Sequence, residues 1–131
     1  MKENEIIISR DIIRFGLLKE NDKYFSKEKE VYKEFIKQIN DAITANKDFY
    51  VDQTSLTKSA RAKLFNNIQN KPSQIVALYF TTPLDIALSR NAKRKGRALV
   101  PEDIIINMYN SIEYPTTEEG FTKILEVKNY E

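Results

Sequence analysis

The chain has 131 residues, enough for one domain with a single hydrophobic core. It contains no cysteine and no histidine. That excludes disulfides, thiolate or imidazole metal sites and a Ser-His-Asp triad, so acid–base or metal chemistry must rest on Asp, Glu, Lys or Tyr. The apolar runs are too short to span a bilayer, and the "KENE" after Met1 does not open a signal peptide. The expectation is a cytoplasmic protein with no membrane partner. A net charge of +2 sets up no global field, but "RNAKRKGR", residues 90 to 97, carries five basic residues and no acid.

In chain order, "EIIIS" (5 to 9) predicts a short buried strand. "KEKEVYKEFIKQINDAITAN" predicts an amphipathic helix, with Tyr32, Phe35, Ile36, Ile39 and Ile43 at helical spacing. "DFYVD" is the second strand. A helix then starts near Thr57, a candidate N-cap, with Ala60, Leu64 and Ile68 as its inner stripe. "QIVALYF" (74 to 80) is a continuous apolar run that suits a strand buried on both faces. "TTPLD" opens a helix, with Thr82 as cap, Pro83 in the first turn and Asp85 at the positive end. Gly96 should close it. "PEDIIINMYNSI" starts another helix, with Ile104, Ile105, Met108 and Ile112 on its apolar face. "FTKILEV" is a last strand.

The order strand, helix, strand, helix, strand, two helices, strand implies an α/β fold with a mostly parallel sheet covered by helices on both faces. Ile7, Val51, Val76, Leu78 and Ile124 should then be buried. In such sheets ligands bind outside the carboxyl ends of the strands. Those ends are "SRD" (9 to 11), "DQT" (52 to 54) and "TTP" (81 to 83), and two of them present an aspartate, Asp11 and Asp52. The competing structural accounts are plain. Strands end at the surface, where Asp is at home, and a basic helix C-terminus complements the helix dipole. Arg14 reads as a solvated helix charge, Thr54 as a local cap and Arg61 as a surface charge beside Leu64.

Taken together, "ISRDIIR", "VDQTSLTKSAR" and "RNAKRKGRALVPEDIIINMY" resemble the P-loop kinases related to phage polynucleotide kinase. The closing "YPTTEEGFTKILEV" also resembles the next segment of that group, so the likeness runs from Ile6 to Val127. It implies a three-layer kinase-like domain over residues 1 to 131 that transfers a phosphoryl group from ATP, with Mg2+, to a hydroxyl. By the resemblance, Asp11 corresponds to the acceptor-side base and Arg14 to the arginine that binds an acceptor phosphate. Asp52 ends the next strand beside metal and acceptor. Thr54 and Arg61 come next on the acceptor side, and Arg90, Arg94 and Arg97 correspond to lid arginines over the ATP phosphates. Asp11, Asp52 and Arg94 should face one crevice. The residue types suit the chemistry, because phosphoryl transfer needs positioning and cations, and the arginine fork binds phosphate oxygens bidentately.

One departure is large. The chain has three glycines and no GxxxxGK[ST] loop to cradle phosphates. Relative to the resembled family, the first strand, the P-loop and the following helix have no counterpart. The family's sheet order is 2-3-1-4-5, so the strand without a counterpart is the central one. The expectation is little or no kinase activity from this chain alone. Either "FYVD" and "IVALYF" pair directly, or a second copy or a partner chain fills the space. Two other readings stay open: a non-catalytic module that binds a nucleotide or nucleic acid through its basic stretch, and an interaction protein that offers an open sheet edge. Nucleic-acid ends, tRNA-linked groups and sugars remain equal candidates for the acceptor.

Overall fold

The strands fall where the alternation places them, but they form two separate ribbons. The computed structural model describes residues 5–54, 57–96 and 99–128. Along the chain lie β1 (Ile6–Ser9), α1 (Arg10–Leu17), α2 (Glu28–Thr44), β2 (Phe49–Asp52), α3 (Lys58–Asn66), β3 (Val76–Phe80), α4 (Leu84–Ala92), α5 (Glu102–Asn110), a 3-10 turn (Thr117–Glu119) and β4 (Lys123–Val127). β1 pairs with β2 and β3 with β4, both in parallel. The architecture is α/β, with parallel strands flanked by helices. Internal contacts divide the chain into two units, Met1–Ser55 with Lys63–Pro72, and Leu56–Ala62 with Ser73–Glu131.

The first unit holds every buried apolar side chain among the described residues: Ile8, Ile13, Val31, Phe35, Ile39, Ala42 and Leu64. The helical spacing of Val31, Phe35, Ile39 and Ala42 turns one stripe of α2 inward, as a 3.6-residue period requires. Asn46 closes that helix in the left-handed region, at φ 55. α1 is a helix the sequence reading passed over. Its eight residues are few, and Gly16 lies inside it. Its start signal is nevertheless present, since the Ser9 hydroxyl accepts the Ile12 N–H at 3.3 Å. The expected Thr57 cap forms in the same way, with its hydroxyl accepting the Ala60 N–H at 3.1 Å.

The second unit is held by polar clamps. Its buried side chains among the described residues are Arg61 and Asn91. The Asn91 amide donates to the Val100 carbonyl at 2.6 Å and accepts the Val100 N–H at 3.0 Å, as a strand neighbour would. This tie accounts for the end of α4 at Ala92 rather than at Gly96: the Lys93 N–H turns back to the Arg90 and Asn91 carbonyls, and the chain then closes on Asn91. Pro83, not Thr82, occupies the N-cap of α4.

The burial expected of the strands is corrected. Ile7 is 40% exposed, Val51 39%, Val76 44% and Leu78 42%, and Ile124 is half-buried. β3 alternates exposed and half-buried positions instead of being covered on both faces. The physical reason is that every described strand is an edge strand in a two-stranded ribbon. Direct pairing of β2 with β3 does not occur among the described residues.

Candidate functional site

The carboxyl end of the β1–β2 ribbon gathers the candidate carboxylates of the first unit. Parallel register sets Ser9 opposite Asp52. Ser9 then caps α1, whose first turn carries Asp11. Two residues far apart in sequence therefore reach the same end of one ribbon, and both are exposed. Thr54 lies just beyond β2 and is also exposed.

Asp11 accepts a hydrogen bond from the Tyr24 hydroxyl at 2.9 Å and another from Nη1 of Arg14. A carboxylate has about four lone-pair positions, so acceptor capacity remains on its exposed side. Tyr24 stacks edge-on against Phe15 and Phe25. Burial, reinforced by the hydrogen bond to Asp11, pushes the Tyr24 phenol up and keeps it a donor.

Arg14 is buried rather than solvated, at 6% exposure. Its Nε and Nη2 grip Glu28 bidentately at 2.5 and 2.9 Å, and its Nη1 also donates to the Tyr24 hydroxyl oxygen at 2.9 Å. The hydrogen bond to Glu28 raises its pKa, so it stays charged. The same bond holds the Glu28 carboxyl below the usual carboxylate range. The Arg14 guanidinium thus donates four hydrogen bonds to protein groups, two of them to Glu28.

Arg61 is likewise buried, which corrects its reading as a surface charge. Its Nε donates to Glu119 at 2.7 Å, and its Nη2 reaches the Glu113 carbonyl at 3.0 Å. Glu119 closes a capping box with Thr116, whose N–H it accepts at 2.8 Å. Its carboxyl is depressed, mainly by the Arg61 hydrogen bond. Arg61 thus fastens the 113–119 segment within the second unit. Arg90 sits in the last turn of α4 and Arg94 just after it, both exposed and in the second unit. Arg97 lies outside the described residues. Asp11 and Asp52 share one unit and Arg94 belongs to the other.

No group of three or more potential metal-ligating side chains occurs among the described residues. Asp52 would offer Mg2+ a lone exposed carboxylate. That suits an ion held chiefly by water and nucleotide phosphates, the usual condition of Mg2+ in phosphoryl transfer. A separate cleft of about 360 Å3 runs beside β1 and α1, with Ile7, Ile12, Ile13 and Leu17 in its wall and Glu34 and Gln38 among its polar lining. None of the expected site residues lines it. Sequence reasoning missed Tyr24, Glu28 and Asn91. The i, i+4 spacing of Arg10 and Arg14 was legible, but their shared partner was not.

The depressed carboxyls of Glu28 and Glu119 predict acid lability. Each folded pKa lies below the unfolded value of about 4.3, so the stabilisation is fully present above that value. It is lost as pH falls through the folded pKa. Urea midpoints measured from pH 6 down to 2.5 should drop steeply below about pH 4.5. Glu119→Gln should flatten that slope, and an unchanged slope would contradict the clamp.

A family model described as an AAA domain matches residues 2–115 of the chain. The L-seryl-tRNA(Sec) kinase of Methanococcus maripaludis is 30% identical over 120 residues, a match covering 88% of this chain and 43% of that protein. The chain therefore spans less than half the length of that relative. Among solved structures, a gluconokinase from Sinorhizobium meliloti 1021 superimposes with a TM-score of 0.58 at 14% identity, over 97% of this chain and 69% of that one. That likeness is one of fold: the kinase-like P-loop fold.

Proposed function

The chain belongs to the AAA domain family, and on that premise we propose that it carries the acceptor side of an ATP-dependent phosphotransferase. The observation that carries this reading is the register of Ser9 with Asp52, which sets Asp52 at the ribbon end from which α1 presents Asp11. In the proposed reaction the acceptor oxygen attacks the γ-phosphorus of ATP and its proton passes to the Asp11 carboxylate. The bond from the γ-phosphorus to the bridging oxygen breaks, and ADP leaves with that electron pair. Asp52 would be the residue to hold Mg2+, which would supply positive charge to the phosphates. The lid arginines Arg90, Arg94 and Arg97 supply positive charge for phosphate, Thr54, exposed just beyond β2, meets the acceptor, and Arg14, bonded to Glu28, Asp11 and Tyr24, holds Asp11 in place. Arg61 we assign to scaffolding, because its Nε and Nη2 are committed to Glu119 and the Glu113 carbonyl.

The acceptor is a hydroxyl, and the basic run from Arg90 to Lys95 favours a polyanionic one such as a polynucleotide 5′ end. The 131 residues contain no GxxxxGK[ST] sequence. The phosphate cradle therefore comes from another segment or partner chain, added as a strand to the free ribbon edges. The exposed apolar residues of both ribbons, among them Tyr50, Val76, Leu78 and Phe80, favour such a partner or a second copy.

The test is transfer of label from γ-labelled ATP to a panel of alcohols: a 5′-hydroxyl oligonucleotide, a seryl-tRNA and a sugar. The chain alone should label none of them. Adding a strand–P-loop–helix segment from an AAA-domain relative should switch on transfer to one class. Full transfer by the chain alone would refute the divided-site reading. No transfer with any acceptor in the presence of the segment would refute the phosphotransferase reading itself.

A further inference from the structure

The back of α1 carries no part of the acceptor site. At about 3.6 residues per turn, Ile12, Ile13, Gly16 and Leu17 share one side of this helix, and Asp11, Arg14 and Phe15 share the other. The first side walls the cleft of about 360 Å3 beside β1, and Ile7 continues that wall. Glu34 and Gln38 of α2 add a polar lining. We propose that this cleft binds a small apolar amine. Its compact hydrocarbon body lies against the aliphatic side chains over Gly16, and its single ammonium group meets the Glu34 carboxylate.

Size, shape and charge support this. Small-molecule sites hold roughly 300–1,000 Å3, and the cleft falls at the lower end of that range. Its wall is aliphatic and uncovered: Ile12 is 68% exposed, Ile7 40% and Leu17 38%. Large aliphatic side chains grouped around one concavity give a hydrocarbon body contact on several sides. Gly16 is an independent observation. A glycine inside a helix is destabilising relative to alanine. Gly16 makes no use of glycine's backbone freedom, since it sits inside α1 and outside the left-handed region. Packing within the described chain does not demand it either, because an added Cβ would meet no heavy atom within 4 Å. The missing side chain leaves room over the helix for a body from outside. The polar lining sets the charge of that body. Gln38 Nε2 donates to Oε1 of Glu34 at 3.2 Å. That bond commits a donor, and the second Glu34 oxygen and the Gln38 carbonyl oxygen remain as acceptors. Among the described residues no salt bridge engages Glu34. Lys37 feels its charge but bonds to Asp41 at 2.8 Å. An ammonium brings positive charge and three N–H donors to these oxygens. An anion would be repelled there, and a plain hydrocarbon would leave Glu34 without a partner.

This inference stands apart from the phosphotransferase reading, and its test needs no nucleotide. Cyclohexylmethylamine, cyclohexylmethanol and cyclohexanecarboxylate share one ring and differ in the charge of the end group. Each is titrated into the full chain and followed by NMR through the methyl groups of Ile7, Ile13 and Leu17. The amine should bind with a Kd on the order of 1 mM. It should bind about fivefold more tightly than the alcohol, and the carboxylate more weakly than either. Glu34→Gln should lower the amine to the affinity of the alcohol and leave the alcohol within about twofold. Glu30→Gln removes a charge from α2 outside the cleft and should keep the amine within about twofold. Gly16→Leu fills the space over the helix and should abolish binding of amine and alcohol alike. Should that variant fail to fold, Gly16→Ala favours the helix and narrows the cleft by one methyl group, and about a threefold loss is then expected. An amine that binds no better than the alcohol would overturn the proposal. So would an amine preference that survives Glu34→Gln, or binding untouched in the folded Gly16 variant. Absence of any methyl shift with the amine at about 20 mM would overturn it as well.

Discussion

Replacing Arg61 with methionine is expected to lower stability by about 3–5 kcal/mol, the usual consequence of removing one partner from a buried ion pair. The side chain of Glu119 is only 12% exposed and would be left without its guanidinium. The carbonyls of Glu113 and Tyr114 would lose the Nη2 donor they share. Methionine keeps most of the length of the side chain, so the loss reports charge and hydrogen bonding rather than a cavity. The melting temperature should fall by on the order of 10 °C. Near-ultraviolet circular dichroism reads this in the second unit, because Tyr79 and Tyr114 lie 4.9 Å apart between ring centroids and report its packing. A fall of less than about 2 °C would show that the clamp contributes little there.

The second large effect is expected at Phe35. Its side chain is fully buried against Ile8, Val31 and Ile39, and Arg10 stacks over its ring at 5.9 Å. Phe35→Ala removes that apolar contact and leaves a cavity, at about 3–5 kcal/mol. Urea denaturation should show a midpoint lowered in proportion, with little change in slope. A loss below about 1 kcal/mol would mean that the core lies elsewhere.

Much of the fold was legible in the sequence because the strands and helices obey strong local rules. The stripe of α2 and the Thr57 cap come from spacing and side-chain chemistry alone. So do the parallel strand pairs, once strands and helices alternate. Burial was not legible for Ile7, Val51, Val76 and Leu78, because an apolar strand has the same sequence whether or not a neighbour covers it. Arg61 and Arg14 were misread for a related reason. A lone arginine in a polar stretch looks solvated until its carboxylate is placed, and Glu119 lies 58 residues from Arg61. That Asp11 and Asp52 lie at the carboxyl ends of strands was legible, because the alternation of strands and helices fixes which end of each strand carries them. Glu28 was not, since a glutamate opening a helix is explained by the dipole without any arginine.

Asp11 carries the proposed chemistry most directly. The measurement that tests it is the rate of phosphoryl transfer from ATP to the preferred alcohol acceptor, with the phosphate cradle supplied in trans, for the unsubstituted chain and for Asp11→Asn. Asparagine keeps the shape and can still accept from Tyr24, but it cannot take the hydroxyl proton. A drop of about 10²–10⁴-fold, with acceptor affinity little changed, is the result expected of a general base. Transfer by Asp11→Asn at a rate within about threefold of the unsubstituted chain would contradict the assignment.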